Sequence, residues 1–264
     1  MNYLRKNLWE KLMGKTYAVA GKGGVGKTTF SALLIKYLLG NNFIPILAVD
    51  ADPNANLGET LGLNTIGTLA EIRDFLRNNP DKIPIGMSKE TYMDMSLQKS
   101  LIESKGFDLL VMGHPEGPGC YCYANNLIRR YLDKLSGSYP YVVIDNEAGL
   151  EHISRLTTNN VDILFLISDS SRRSLKACMN IKSLIGSLPV KVKELRLVIN
   201  RADINEVKDI NTYLEQNNIV YDCILPEDEF IEEYDYRGKA FIDLPDESKI
   251  VKATKNYFNR ISFI

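Results

Sequence analysis

Residues 21–28, Gly-Lys-Gly-Gly-Val-Gly-Lys-Thr, fit the frame Gly-x4-Gly-Lys-[Ser/Thr] without a gap. They lie between a short apolar run and a helical pattern. Few segments constrain a fold so tightly. Glycines let the backbone curl so that successive N–H groups face one anion. The helix that follows adds its own unpaired N-terminal donors. The run 16–20, Thr-Tyr-Ala-Val-Ala, reads as a buried strand. Beyond the loop, Phe30, Leu33, Leu34, Tyr37 and Leu38 recur at helical spacing over 29–39. Gly23, Gly24, Val25, Gly26, Lys27, Thr28 and Thr29 are therefore the expected phosphate cradle. Lys27 is expected to reach the β- and γ-phosphates, and the Thr28 hydroxyl to ligate Mg²⁺.

Further short apolar runs at 44–50, 108–113, 141–145, 163–168, 195–200 and 221–225 read as buried strands. Helical patterns lie between them, at about 67–79, 88–104, 124–136, 171–187, 205–217 and 246–260. This alternation predicts an α/β fold of three layers. Its mostly parallel, twisted sheet has about seven to eight strands, with helices on both faces, as in P-loop NTPases. Residues 1–14 are read as an N-terminal extension and 15–264 as a single P-loop ATPase domain. In such sheets ligands bind beyond the carboxyl ends of the strands. Asp50, Asp52, His114, Asp145 and Asn200 all fall there.

Bulk properties remove several classes. The net charge is −1, so no global field points to nucleic acid. No apolar run approaches the ~18 residues of a membrane span. Four cysteines in 264 residues do not make a disulfide scaffold, and a reducing cytoplasm is expected.

Lys22, five residues before Lys27, sharpens the class. A lysine here resembles the signature lysine of the deviant Walker A ATPases, the family of MinD, ParA, arsenite-pump ATPases and nitrogenase iron protein. The resemblance implies a homodimer with ATP sandwiched at the interface, Lys22 of each protomer reaching the other's nucleotide. Asp50 and Asp52 close a strand as Val-Asp-Ala-Asp-Pro. Residues two apart face the same way, so both carboxylates can address the nucleotide. By resemblance, Asp52 positions the attacking water, Asp50 supports Mg²⁺ through water, and Asn56 lies near metal and phosphate. Asp145 ends Tyr-Val-Val-Ile-Asp as a Walker B aspartate does, and Asp-Asn-Glu-Ala-Gly resembles switch II, with Gly149 sensing the γ-phosphate. Asn200 resembles the adenine-reading asparagine, and Pro226 and Glu227 the loop that closes over the base. The cofactors implied are ATP/ADP and Mg²⁺.

Cys120 and Cys122 form a Cys-x-Cys pair after a run rich in glycine and proline. Side chains two apart are ~7 Å apart in a strand and on opposite sides of a helix. Thiolates sharing one ion at ~2.3 Å lie under ~4 Å apart. The pair can share an ion only from a bend. Two chains on a twofold axis would then offer a Cys₄ site. The other reading is of two small apolar residues buried at a helix start; a disulfide between them would be strained. The segments Gly-His-Pro-Glu-Gly-Pro-Gly-Cys-Tyr-Cys-Tyr-Ala-Asn-Asn-Leu and Asp-Asn-Glu-Ala-Gly-Leu-Glu-His resemble those of the CooC-type nickel-insertion ATPases. This implies Ni²⁺ on Cys120 and Cys122, with apo carbon monoxide dehydrogenase or acetyl-CoA synthase as client. Thiolates do not select nickel by affinity, and Zn²⁺ competes for such a site. Two further readings stay open. One is a reductase like nitrogenase iron protein with a [4Fe–4S] cluster, although residues 145–152 lack a cysteine. The other is a MinD/ParA-type positioning ATPase. That would need a basic patch or a membrane-seeking C-terminal helix, whereas Ile250, Val251, Ala253, Tyr257, Phe258 and Ile261 read better as a face packed on the sheet. His114 and His152 flank the two loops and read as structural histidines; Cys178 and Cys223 read as core, as do Met87, Met93 and Met95.

Overall fold

The structure, a computed structural model, describes residues 14–113, 134–148, 160–187 and 190–261. Its eight strands are β1 (Lys15–Gly21), β2 (Ile46–Ala51), β3 (Ile102–Glu103), β4 (Phe107–Val111), β5 (Tyr141–Asn146), β6 (Asn160–Ser168), β7 (Lys191–Ile199) and β8 (Cys223–Ile224). They form one sheet in the order β3-β4-β2-β5-β1-β6-β7-β8. Every pairing is parallel except β3 with β4. The central strands are apolar almost throughout because helices cover both faces. Alternation along β1 shows the two layers: Tyr17 and Val19 enter one core, Ala18 and Ala20 the other.

The first core is capped by α1 (Lys27–Gly40) and α9 (Lys249–Phe258). Phe30 of α1, Phe165 of β6 and Phe258 of α9 meet there, with ring centroids 5.0 Å (Phe30–Phe165), 5.5 Å (Phe30–Phe258) and 6.3 Å (Phe165–Phe258) apart. Such pairs contribute about 0.5–1.5 kcal/mol each beyond area burial. Ile250, Val251, Tyr257, Phe258 and Ile261 are all buried in this core. The apolar face of the last helix is thus occupied by the sheet. The second core takes α4 (Lys89–Lys99), α5 (Arg172–Leu184), α6 (Ile204–Asp209) and α7 (Asn211–Gln216), through Met93, Leu97, Leu175, Cys178, Val207 and Leu214.

Three expectations needed correction. The helix predicted over 88–104 stops at Lys99. The Ser100 hydroxyl donates to the Leu97 carbonyl at 2.8 Å, and Ile102 pairs with Leu109 as the antiparallel edge strand. The helix predicted over 205–217 is two, broken at Ile210. Met95 is exposed rather than core, whereas Met93, Cys178 and Cys223 are buried. Two short helices went unread, α2 (Asn56–Thr60) and α8 (Glu229–Tyr236); the remaining one, α3 (Leu69–Asn78), lies within the predicted 67–79 and opens on a Thr68/Glu71 capping box. The predicted helix over 124–136 falls mostly outside the described residues. Among the described residues no helix is long and apolar enough to cross a membrane.

Candidate functional site

Sheet topology gathers the site. The strand order places β5 between β2 and β1, so the carboxyl ends of β1, β2 and β5 lie side by side. Asp50 and Asp145 stand opposite each other in the β2–β5 register. The loop after β1 arches over them into α1.

The loop's shape depends on its glycines. Gly24 has φ +80° and Gly26 φ +88°, both in the left-handed region that favours glycine. At Gly26 a second constraint applies, for a Cβ there would stand 2.4 Å from Asn200 Nδ2. That amide donates to the Val25 carbonyl at 2.8 Å, while Asn200 Oδ1 is buried with no hydrogen-bond partner among the described residues. The opposite amide assignment would set two oxygens against each other. An orphaned buried acceptor is costly, and beneath a phosphate loop it is suited to a ligand's amino group.

Lys27 is buried, its Nζ 3.4 Å from the Lys22 carbonyl, while Lys22 itself is exposed. Gly23 approaches Ala148, which follows β5, so the loop and the alanine of the Asp-Asn-Glu-Ala-Gly string are neighbours. Asp145 is buried and accepts hydrogen bonds from Ser31 Oγ, at 3.0 Å, and from the Thr28 hydroxyl. Burial drives its carboxyl up to about 6, against the pull of those hydroxyls and of Lys27. Asp50 is fully buried and accepts from the backbone N–H of Leu57, at 2.8 Å, and of Asp52, at 3.2 Å. Burial, and then the charge of Asp145, push it up to about 7. Two buried carboxylates whose ionised forms are disfavoured invite a divalent cation, and Thr28 hydroxyl and carboxylate oxygens are the hard donors Mg²⁺ takes. The residues present therefore fit Mg²⁺–nucleotide. Asp52 is half-buried and accepts from the backbone N–H and the side-chain amide of Asn54, both at 2.9 Å.

Beside the loop lies a cleft of about 370 Å³. Thr28, Thr29, Asn56, Arg201, Tyr234 and Lys239 are among its walls. Leu225 donates to the Ile199 carbonyl at 2.8 Å and Ala202 to the Leu225 carbonyl at 3.2 Å, so Pro226 and Glu227 run alongside Asn200. Sequence reasoning missed three residues here. Ser31, one helical turn past Lys27, holds Asp145. Arg201, at φ +53°, donates from Nη1 to the Gly24 carbonyl at 3.2 Å. Asp228 is a structural pin. Its carboxylate accepts from Phe230 N–H at 2.9 Å, Ile250 N–H at 2.8 Å and Ser248 Oγ at 2.7 Å, joining α8 to α9. A basic residue after Asn200 and a helix cap before an acidic run were the available signals.

Gly149, His114, His152, Cys120 and Cys122 lie outside the described residues. Among the described residues no three His, Cys, Asp or Glu side chains converge on one point.

A parallel sheet with this loop and these carboxylates defines a P-loop ATPase. The chain belongs to the CbiA family, the CobQ/CobB/MinD/ParA nucleotide binding domain, whose profile matches residues 17–241. ATP/ADP and Mg²⁺ are typical ligands of that family. An ATP-binding protein of Methanocaldococcus jannaschii is 43% identical over 92% of this chain and 97% of its own length. The carbon monoxide dehydrogenase accessory protein CooC of Rhodospirillum rubrum is 32% identical over 66% of this chain and 70% of its own. The fold is shared with MinD of Pyrococcus horikoshii complexed with Mg-ADP, at TM-score 0.68 and 20% identity over 95% of this chain and 96% of that one.

Proposed function

We propose that the chain is an ATP-hydrolysing metallochaperone. Two protomers close around ATP, hold Ni²⁺ on Cys120 and Cys122 of both chains, and support nickel insertion into carbon monoxide dehydrogenase or acetyl-CoA synthase. One observation carries the reading. Met112 N–H donates to the Asp50 carbonyl at 2.8 Å, so the strand end beside the nucleotide carboxylates leads, in sequence, to Cys120 and Cys122 within about ten residues. A change at the phosphates and a change at the thiolates are then linked by one backbone hydrogen bond and a short stretch of chain. The Rhodospirillum relative supports the client, since its name is that of a carbon monoxide dehydrogenase accessory protein. The burial of the α9 apolar face weighs against a membrane-seeking C-terminal helix.

In this reading Lys27 and the loop N–H groups bind the β- and γ-phosphates, and Thr28, Asp50 and Asp145 hold Mg²⁺, which supplies charge neutralisation at the phosphate oxygens. Asp52 orients the attacking water, Lys22 reaches across the twofold axis, and Gly149 reports loss of the γ-phosphate. Asn56 borders the phosphates, while Asn200, Pro226 and Glu227 enclose the adenine. Four thiolates from two chains complete a closed metal site. Cytoplasmic residence keeps those thiols reduced.

Anaerobic equilibrium dialysis tests the metal. Wild type should hold about one Ni²⁺ per two chains, and Cys120→Ala/Cys122→Ala none. Equal binding by both would retire the metal reading and leave an ATPase with some other cargo.

A further inference from the structure

The surface charge is not uniform. No aspartate or glutamate occurs between Asp169 and Glu194, while Arg172, Arg173, Lys176, Lys182, Lys191 and Lys193 all do. In a chain of net charge −1 that is a strong local excess. The first four stand on α5 and line an open groove of about 980 Å³, whose opposite side carries Tyr213, Asn217 and Asn218. No acidic side chain lines it. All four cations are exposed, and among the described residues none forms an ion pair. The Arg172 guanidinium lies over the Tyr213 ring, 5.4 Å from its centroid, which restrains it without neutralising it. Half-buried Met179 adds an apolar patch between the charges.

From this charge pattern we infer that the groove between α5 and α7 docks an acidic segment of a partner protein, one that alternates carboxylates with apolar side chains. Charge complementarity selects the carboxylates, Met179 and the Tyr213 ring receive the apolar groups, and the two asparagines can pair with peptide backbone. A concave site with an apolar floor fits a peptide better than a nucleic-acid backbone, which calls for cations spread along an open track. The groove's position adds a link to the nucleotide. Asn200 N–H donates to the Ser168 carbonyl at 2.6 Å. The α5 wall springs from Ser168 at the end of β6, and the α7 wall from the chain following Asn200. Both walls therefore hang from the pair of strand ends that hold the Asn200 amide under the phosphate loop. The docking surface does not depend on which metal the protein carries.

The test is fluorescence anisotropy with a labelled peptide, acetyl-(Glu-Glu-Leu)₃, against wild type and Arg172→Glu/Lys176→Glu. Wild type should bind. The variant should bind at least about tenfold more weakly and instead take up the lysine counterpart, acetyl-(Lys-Lys-Leu)₃. Wild-type binding should also fall as salt shortens the screening length. The variant's melting temperature and ATPase rate should match wild type, since neither residue touches the nucleotide site. If that pair does not fold, Arg173→Glu/Lys182→Glu replaces it. Absence of peptide binding by wild type, equal binding by the variant, or tighter binding of a labelled oligothymidine to the same residues would overturn the proposal.

Discussion

Replacing Gly26 by alanine should damage the protein more than replacing Gly24, although both sit at positive φ in the same loop. The two positions share one cost. Alanine at φ near +80° to +90° gives up roughly 1–2 kcal/mol to left-handed backbone strain. They differ in what the new methyl meets. At Gly24 there is nothing within 4 Å, whereas at Gly26 the Cβ would stand 2.4 Å from Asn200 Nδ2. The amide must move, and its hydrogen bond to the Val25 carbonyl breaks. Leaving a buried donor and acceptor unpaired adds about 1–3 kcal/mol. Gly24→Ala should therefore cost about 1–2 kcal/mol and Gly26→Ala about 2–5 kcal/mol. At roughly 2–4 °C per kcal/mol for a chain of this size, the second variant should melt several degrees below the first. Calorimetry or thermal denaturation without nucleotide measures the difference directly. ADP affinity should fall further for Gly26→Ala, because the same methyl displaces Asn200. Equal melting temperatures for the two variants would show that the close approach to Asn200 does not shape the loop.

Other expectations rest on separate parts of the molecule. Asp50 and Asp145 hold protons more tightly in the folded chain, up to about 7 and about 6, than the ~3.9 of an unfolded aspartate. Their contribution to stability is therefore full below about pH 4 and is lost as pH rises through 6 and 7. In urea titrations of the nucleotide-free protein, Asp50→Asn should flatten that decline between pH 5 and 7.5 and weaken Mg²⁺-dependent ATP binding; an unchanged slope would contradict the burial argument. Asp228→Ala removes three hydrogen bonds to one carboxylate and should cost roughly 2–4 kcal/mol by denaturant unfolding; a loss under about 0.5 kcal/mol would mean α8 and α9 are joined by packing alone. Lys22→Ala should abolish ATP-dependent dimerisation in light scattering while leaving ADP binding within about threefold, because the side chain is exposed; a dimer that persists would remove Lys22 from the interface.

What could be read from the sequence follows from the range of the forces involved. The strand, loop and helix over residues 15–40 carry short-range signals: apolar runs of the right length, glycines at tight turns, and a 3.6-residue stripe ending on Leu38. Asp50 and Asp145 were legible because each ends an apolar run, and parallel pairing then set them opposite each other. The antiparallel edge strand β3 was not legible, since Leu101 and Ile102 extend the helical period of α4 and only pairing with Leu109 makes Ile102 a strand residue. Helix α8, Glu-Phe-Ile-Glu-Glu-Tyr-Asp-Tyr, has a weak apolar stripe, and its cap Asp228 bridges to residues 20 and 22 positions later. The contact between Asn200 and the loop spans 175 residues, a distance at which no local pattern speaks. The Cys120–Cys122 pair was singled out from spacing and resemblance, and its environment lies outside the described residues.

The central claim is that nucleotide state governs the metal. Nickel affinity should be measured anaerobically, by competition with a chromophoric chelator, on the same protein saturated with Mg–ADP and with a non-hydrolysable Mg–ATP analogue. The account predicts a difference of at least about tenfold, or ~1.4 kcal/mol of coupling between the sites, abolished in Lys22→Ala. Equal affinities in the two states would contradict it.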